Sequence, residues 1–144
     1  MAKFNFRLQS YLGLKAKIEE LKRNEFGKAV AAVEAEKRKL AELEQEKADC
    51  IEEFRQKVEI VIDPVNLNQY NLFIEILKER IKNQLVQLAR AEEFLKIKRA
   101  ELVEAMKDKK ILETLKERDY EQYIIEEKKS EQKVLDDLVS YRYR

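Results

Sequence analysis

Apolar residues recur at steps of three and four along most of the chain, the spacing that is typical of coiled-coil helices. They do so in two long stretches on either side of Pro64, the single proline. In the second stretch the alternation is strict for more than three heptads. Its positions are Leu88, Ala91, Leu95, Lys98, Leu102, Ala105, Lys109 and Leu112. The pattern predicts long helices that each bury one stripe of side chains.

The first stretch follows the same spacing less regularly. Its apolar positions are Phe26, Val30, Val33, Leu40, Leu43, Cys50, Phe54, Val58 and Val61, with Lys37 and Lys47 in two polar slots. The steps from Lys37 to Leu40 and from Leu40 to Leu43 are both of three residues. This repetition predicts a small shift of register, which would change the supercoil locally.

Pro64 marks a break between the two patterns. Proline disfavours helical geometry at the preceding Asp63 and lacks the N–H that a continuing helix needs. Asn66 is a good N-cap candidate, with Gln69 three residues on as in a capping box. We predict one coiled-coil domain over residues 1–144, with helix 1 over about 3–60, a turn over about 61–66 around Pro64, and helix 2 over about 67–141.

The stretch from Val58 to Val65 is also apolar and β-branched enough to form a short strand. One strand would have no partner here, so we favour an apolar helix end followed by a loop. Two helices joined by a short loop pack antiparallel. The predicted fold is therefore all-α, a long antiparallel two-helix coiled-coil hairpin. Such a hairpin has no walled pocket for small-molecule chemistry, so we expect a mechanical or adhesive role.

Composition excludes most enzyme classes. The chain of 144 residues has no histidine, one cysteine and two glycines, and 41% of it is charged. Without histidine there is no Ser-His-Asp triad and no histidine-bearing zinc site. One cysteine cannot form an intramolecular disulfide, and no glycine-rich phosphate loop is present. Paired acids such as Glu19-Glu20 are interpreted as solvated helix charges. We predict a non-enzyme with no catalytic residue, metal or cofactor of its own.

Charge and hydropathy also limit the partners. The 30 basic and 29 acidic residues mix along the chain, and the densest basic cluster, residues 107–110, is interrupted by Asp108. We therefore expect no nucleic-acid partner, because such proteins show a basic excess on one face. No apolar run approaches the length of a membrane span, so we expect no membrane insertion. With one cysteine and no signal-like N-terminus, the cytoplasm is the expected compartment.

Aromatic residues gather near both ends of the chain. Phe4, Phe6 and Tyr11 lie near the start, and Tyr120, Tyr123, Tyr141 and Tyr143 lie near the end. An antiparallel hairpin would bring these two groups together. They have two interpretations: rings that hold helix ends in place, or anchors for protein partners.

Several of these segments match a known family. They are F-N-F-R-L-Q-S-Y-L at residues 4–12, K-K-I-L-E-T-L-K-E at 109–117, and Glu131-Gln132-Lys133 with Leu135-Asp136-Asp137 near the end. The chain resembles, over nearly its whole length, the FliJ family of small coiled-coil components of the bacterial flagellar type III export apparatus. The resemblance implies a hairpin similar to the central stalk, the γ subunit, of rotary ATPases.

The resemblance also implies partners. The end of the hairpin that bears the chain termini is expected to enter the hexameric ring of the flagellar export ATPase and to promote its assembly and activity. The family also contacts the cytoplasmic domain of the membrane export gate and handles export-substrate chaperones. We accordingly expect a cytoplasmic protein, peripherally associated with the membrane at the flagellar base, and a monomer when isolated.

The resemblance nominates residues for two of these contacts. For the gate they are Phe54, Tyr70, Phe73 and Leu77. Two further gate positions fall on Arg80 and Gln84, which differ in character from the family pattern. For the ATPase ring they are Leu8, Tyr11, Ile18 and Leu21, chosen by position alone. The helix–helix contact itself is a competing explanation for all of them.

Two other functions remain open from the sequence. One is a holdase chaperone of the prefoldin kind, also a helical hairpin, which needs β-hairpins to oligomerise. The other is a generic coiled-coil adaptor that dimerises in parallel. A compact hairpin monomer would favour neither of them.

Overall fold

A computed structural model describes residues 3–60 and 64–143, which form two long helices. Helix α1 spans Gln9–Ile60 and helix α2 spans Pro64–Arg142, and neither described range contains a strand. Gln9, at the start of α1, contacts Lys116 of α2. Lys22, further along α1, contacts Glu101, which comes earlier in α2. The fold is therefore an all-α antiparallel helical hairpin, as predicted.

The chain divides into two compact units, and each helix contributes to both of them. The terminal unit contains Met1–Lys22 and Glu101–Arg144, and the turn unit contains Arg23–Ala100. The helices pack antiparallel within the turn unit too, because Glu25 pairs with Lys98 while Phe54, later in α1, contacts Tyr70.

The seam, meaning the positions of each helix that face the other, follows the predicted heptads in α2. All eight predicted positions from Leu88 to Leu112 are buried or half-buried. The two lysines among them have carboxylate partners on α1: Lys98 pairs with Glu25 at 3.3 Å, and Lys109 pairs with Glu19 at 3.0 Å. A lysine is tolerated in this seam because an acid meets it from across the hairpin.

The predicted seam of α1 is wrong at three described positions: Val30, Lys37 and Val58. Ala29 is 2% exposed whereas Val30 is 37% exposed, and Glu36 is half-buried whereas Lys37 is exposed. With these replacements the steps alternate between three and four without interruption, so the predicted register shift does not occur. The positions are Phe26, Ala29, Val33, Glu36, Leu40, Leu43, Lys47, Cys50 and Phe54. Val58 is exposed, and Val61 lies outside the described residues.

Helix α1 begins at Gln9, not near residue 3. The backbone N–H of Gln9 donates to the carbonyl of Phe6 at 3.1 Å, so a turn precedes the helix. Phe6 is buried there against Leu12 and Leu112. Burying a phenylalanine side chain stabilises by about 1.5–3 kcal/mol, which favours this packing over one further helical turn.

Helix α2 begins at Pro64, so the predicted start at residue 67 and the predicted N-cap at Asn66 are wrong. Proline suits the first position of a helix because its φ angle is already helical and its missing N–H would have no partner there. Of the predicted turn, residues 61–63 lie outside the described chain and the remainder is helical. The described residues of the stretch from Val58 to Val65 are helical too, so they do not form the alternative strand.

Helix α2 is exposed along its last stretch. From Lys128 to Tyr143 every residue is exposed, including several aliphatic side chains such as Leu135 and Leu138. Apolar character is nevertheless limited: within the described residues, no helix is both long enough and apolar enough to cross a membrane.

Candidate partner-binding surfaces

The terminal unit is held by a small hydrophobic core. Phe6, Leu12 and Leu112 are buried together, and Phe4 and Leu8 pack against them. Leu8, one of the residues predicted for the ATPase ring, therefore contributes to this core and is only partly accessible. Its replacement by a charged residue would disturb the fold as well as any surface.

Aromatic rings from both ends of the chain meet in this unit, as the antiparallel arrangement predicts. The ring centroid of Phe4 lies 5.3 Å from that of Tyr120 and 5.4 Å from that of Tyr123. Burial, with a hydrogen bond to Glu127, raises the pKa of Tyr123. Such edge-on and tilted contacts contribute about 0.5–1.5 kcal/mol beyond burial. The rings therefore anchor the N-terminal segment on α2, and Tyr120 remains half-exposed.

A stripe on α1 borders the seam of the terminal unit. Its residues follow one another at three, four and three positions: Tyr11, Leu14, Ile18 and Leu21. Ile18 is half-buried and the others are exposed. Three of the four residues predicted for the ring thus share one face of α1. Leu14 was missed, although its spacing from Tyr11 and Ile18 was readable in the sequence.

Ion pairs fix the register beneath this stripe. Lys15 pairs with Asp108 at 3.7 Å, and Lys22 pairs with Glu101 at 3.3 Å. The ammonium of Lys15 also lies 5.3 Å from the ring centroid of Tyr11, a cation–π distance. The ammonium of Lys15 therefore favours a position of the exposed Tyr11 ring next to the seam.

In the turn unit, two rings predicted for the gate contact pack against each other. The ring centroids of Phe54 on α1 and Tyr70 on α2 are 5.4 Å apart, and both residues are half-buried. The ammonium of Lys57 lies 5.4 Å from the ring centroid of Tyr70. The structure therefore brings Phe54 and Tyr70 together across the hairpin. A single gate-binding surface that includes both residues needs them to be close together.

A charged group lies next to these rings. Lys57 Nζ is 3.1 Å from Glu53 Oε1. Hydrogen bonding to Lys57 and then to Tyr70 lowers the pKa of Glu53, and hydrogen bonding to Tyr70 and then to Glu53 raises the pKa of Lys57. Each group keeps its charge over a wider pH range, so this surface carries one acid and one base next to an aromatic ring.

The two remaining residues predicted for the gate contact, Phe73 and Leu77, differ in how far their side chains are exposed. Phe73 is 39% exposed and lines an open groove of about 360 Å³ with Lys57, Asn66, Gln69 and Tyr70. Leu77 is 0% exposed. The helix–helix seam therefore accounts for Leu77 by itself, and a partner on this surface would meet Phe73 first.

The two less certain gate positions differ in the same way. Arg80 is exposed, whereas Gln84 is half-buried in the seam. The amide of Gln84 donates to the backbone carbonyl of Glu36 at 3.0 Å and also hydrogen-bonds the Glu36 carboxylate. Gln84 and Glu36 therefore form a polar layer of the turn unit.

The described residues offer little to catalytic or metal chemistry. Among them, no group of three or more acids and cysteines is arranged to hold a metal ion. Burial raises the pKa of the Cys50 thiol, and the nearby charges of Glu53 and Glu46 raise it further. A thiol in that environment is a poor nucleophile at neutral pH.

These features define the class of protein: an all-α helical hairpin with exposed aromatic and aliphatic surfaces and a mostly apolar seam that contains ion pairs. Residues 4–144 match the family model described as flagellar FliJ protein, so the chain belongs to the FliJ family. It is accordingly a component of the flagellar export apparatus, in a family that is non-catalytic. Comparison with curated proteins and with solved structures gives no match.

Proposed function

We propose that this protein is the stalk of the flagellar type III export ATPase. In this role the terminal unit binds the hexameric ring of the ATPase and promotes its assembly and activity. The turn unit binds the cytoplasmic domain of the membrane export gate, and the protein also handles export-substrate chaperones. It would act in the cytoplasm, associated peripherally with the membrane at the flagellar base, as a monomer when isolated.

The main support for the ring contact is the exposed stripe of Tyr11, Leu14, Ile18 and Leu21 in a chain of this family. Exposed aromatic and aliphatic side chains on a rigid element are typical anchors of protein interfaces. The stripe lies on a helix, so its backbone is ordered before binding, which lowers the entropic cost of association. A two-helix hairpin has no sixfold symmetry, so six ring subunits would meet it unequally, and unequal contact would bias ring assembly and nucleotide occupancy.

The ring contact is tested by ATP hydrolysis and hexamer formation of the cognate flagellar export ATPase, with and without this protein. Tyr11→Asp and Leu21→Asp change exposed side chains, so both variants are expected to keep the helicity of the wild type. They should abolish most of the stimulation. Leu85→Asp, an equally exposed change on α2 of the turn unit, is the matched control and should stimulate normally.

Two results would overturn the ring contact. One is the absence of stimulation and of co-migration with a folded wild-type protein. The other is equal loss in Leu21→Asp and Leu85→Asp, which would mean that any added charge weakens the effect. Leu8→Asp is not a suitable test, because Leu8 packs against the core of the terminal unit.

The support for the gate contact is the groove at Phe73, where an exposed ring lies next to the paired charges of Glu53 and Lys57. Phe73→Ala should weaken binding to the purified cytoplasmic domain of the gate without lowering thermal stability much. Phe94→Ala, which removes an exposed ring from the same helix, serves as the control. Unchanged affinity of Phe73→Ala would remove the groove from the gate contact and leave the ring contact unaffected.

The alternative functions have less support. A prefoldin-like holdase needs β-hairpins, and the described residues contain no strand. A generic parallel adaptor would need exposed seams, whereas here each helix buries its seam in the other helix of the same chain. Sedimentation equilibrium separates the proposals, because a parallel dimer would dissociate on dilution and a hairpin monomer would not change.

A further inference from the structure

The basic cluster at residues 107–110 divides between two faces of α2 in the folded chain. Asp108 and Lys109 are half-buried towards α1, where they pair with Lys15 and Glu19. Lys107 and Lys110 point to the opposite face and are exposed. The acid that interrupts the cluster in the sequence therefore does not neutralise the outer face.

Lys107 and Lys110 line an open groove on that outer face. The groove has a volume of about 520 Å³, and its lining is Lys107, Lys110, Ile111, Thr114, Leu115 and Arg118. Three of these residues are cations and none is an acid. Within residues 3–60 and 64–143, no ion pair is formed by any of the three cations. Ile111 is 66% exposed and Leu115 is partly exposed, so apolar surface lies between the charges.

A second groove adjoins the first. It has a volume of about 400 Å³ and shares Lys107 and Lys110, and it adds the partly exposed side chains of Val103 and Met106. Its acids, Glu19 and Glu113, both pair with Lys109. The residues of the two grooves that face away from α1 form what we call the outer stripe, which runs along α2 from Val103 to Arg118.

The outer stripe has the spacing of a helix-packing surface. Val103, Lys107, Lys110, Thr114 and Arg118 follow one another at steps of four, three, four and four residues. The five residues therefore share one face of α2, and a second helix laid along that face would contact all of them. At 1.5 Å per residue the outer stripe is ~24 Å long, which matches about four turns of a partner helix.

From this charge and spacing we infer that the outer stripe binds an acidic amphipathic α-helix of a partner protein. Aliphatic side chains of that helix would cover Ile111 and Leu115, and its carboxylates would meet Lys107, Lys110 and Arg118. Charge complementarity favours an acidic partner, and the exposed aliphatic side chains favour a polypeptide over a phosphate backbone. The outer stripe includes none of the residues proposed for the ring or gate contact. It lies in the terminal unit that is proposed to bind the ring, so the test below measures peptide binding to this protein alone, without the ATPase.

The test uses the full chain and two synthetic amphipathic peptides of about 20 residues, enough to span the outer stripe. One carries glutamates beside a leucine face, and the other carries lysines at the same positions. Fluorescence anisotropy should detect the acidic peptide and not the basic one. Binding should weaken as salt rises, because exposed charges are screened.

The variant Lys107→Glu/Arg118→Glu should weaken binding of the acidic peptide about tenfold or more. The variant Lys128→Glu/Lys129→Glu makes the same charge change on exposed residues of the same helix and should bind as the wild type does. Both should keep wild-type helicity, since all four side chains are exposed.

Three results would overturn the inference. They are equal binding of the two peptides, no binding of the acidic peptide even at low salt, and equal weakening in the two variants. Short RNA and vesicles containing phosphatidylserine complete the experiment. If these bind through Lys107 and Arg118 while the acidic peptide does not, the groove is a phosphate site instead.

Discussion

The carboxylate of Glu19 lies 3.0 Å from the ammonium nitrogen of Lys109, and only 8% of Glu19 is exposed. An acid this deep in a two-helix seam is tolerated because a base meets it from the other helix. The contact joins residues far apart in the sequence, so it stabilises one antiparallel register. The hydrogen bond and charge of Glu19 raise the pKa of Lys109.

We expect Lys109→Met to destabilise the protein, because Glu19 then loses a cation while it remains buried. The double variant Glu19→Leu/Lys109→Leu should recover part or all of the lost stability, because a leucine pair leaves no buried charge. Urea unfolding of the wild type, Glu19→Leu, Lys109→Leu and the double variant measures the coupling. Additive effects would show that the two side chains do not stabilise one another.

The pair of Glu19 and Lys109 also predicts that the stability of the protein falls at alkaline pH. Because the folded-state pKa of Lys109 lies above its ordinary value of 10.5, the pair should stabilise fully below about pH 10.5. That contribution should be lost as the pH rises through the folded-state pKa. Comparison of wild type and Lys109→Met in urea between neutral and strongly alkaline pH should show curves that converge only in base.

Leu77→Ala should cost about 2–5 kcal/mol of unfolding free energy, because Leu77 is 0% exposed and its loss leaves a cavity in the seam. Leu72→Ala removes the same atoms from an exposed position of the same helix and should change stability by less than about 0.5 kcal/mol. Equal losses of unfolding free energy in the two variants would mean that Leu77 does not face α1.

Gly27→Ala should stabilise the protein by about 0.5–1 kcal/mol, because glycine is a poorer helix former than alanine. A Cβ at Gly27 would meet nothing within 4 Å, and its φ angle is not positive. Gly13 meets the same conditions and should respond alike. Ala31→Gly, at an exposed position of α1, should cost a similar amount. Thermal unfolding followed by circular dichroism measures all three changes.

Cys50 should react slowly with thiol reagents in the native protein. Its side chain is buried, and burial together with Glu53 and Glu46 raises the thiol pKa, so little reactive thiolate is present at neutral pH. We expect modification by a disulfide reagent to be ~10-fold or more slower than in denaturant. The control is Ser130→Cys in a Cys50→Ala background, where an exposed thiol should react fast. Equal rates would place Cys50 outside the seam.

Glu53 should titrate below its ordinary pKa of 4.5, because hydrogen bonds to Lys57 and Tyr70 favour its charged form. Its contribution to stability is therefore present above about pH 4.5 and lost as the pH falls through the lower folded-state pKa. Carboxyl NMR of the wild type and of Lys57→Met tests this expectation. The variant should return the pKa of Glu53 towards 4.5, and no change would mean that Lys57 does not bind Glu53.

The sequence by itself determined the all-α hairpin, the helical boundary near Pro64 and the heptads of α2. These depend on local chemistry and on periodicity: many aliphatic residues at steps of three and four, few helix breakers, and one proline. The sequence also predicted that aromatic residues from the two ends of the chain come together, since antiparallel helices bring distant segments together. The structure shows this for Phe4 with Tyr120 and Tyr123, whereas Tyr141 and Tyr143 are exposed. The family resemblance was readable for the same reason, because its motifs are continuous in sequence.

Only the tertiary structure decided which residues of α1 face the other helix. Valine is more hydrophobic than alanine, so the sequence favoured Val30 over Ala29 for the seam, and it gave no reason to prefer Glu36 to Lys37. In the folded chain, Ala29 and Glu36 lie in line with the other seam residues of α1 and therefore face α2. The tertiary structure also decided that residues 107–110 divide between two faces of α2, because Asp108 and Lys109 have partners on α1. Those partners lie about ninety positions away in the sequence, and charge pairing at that distance is set by how the two helices pack, which no local pattern contains.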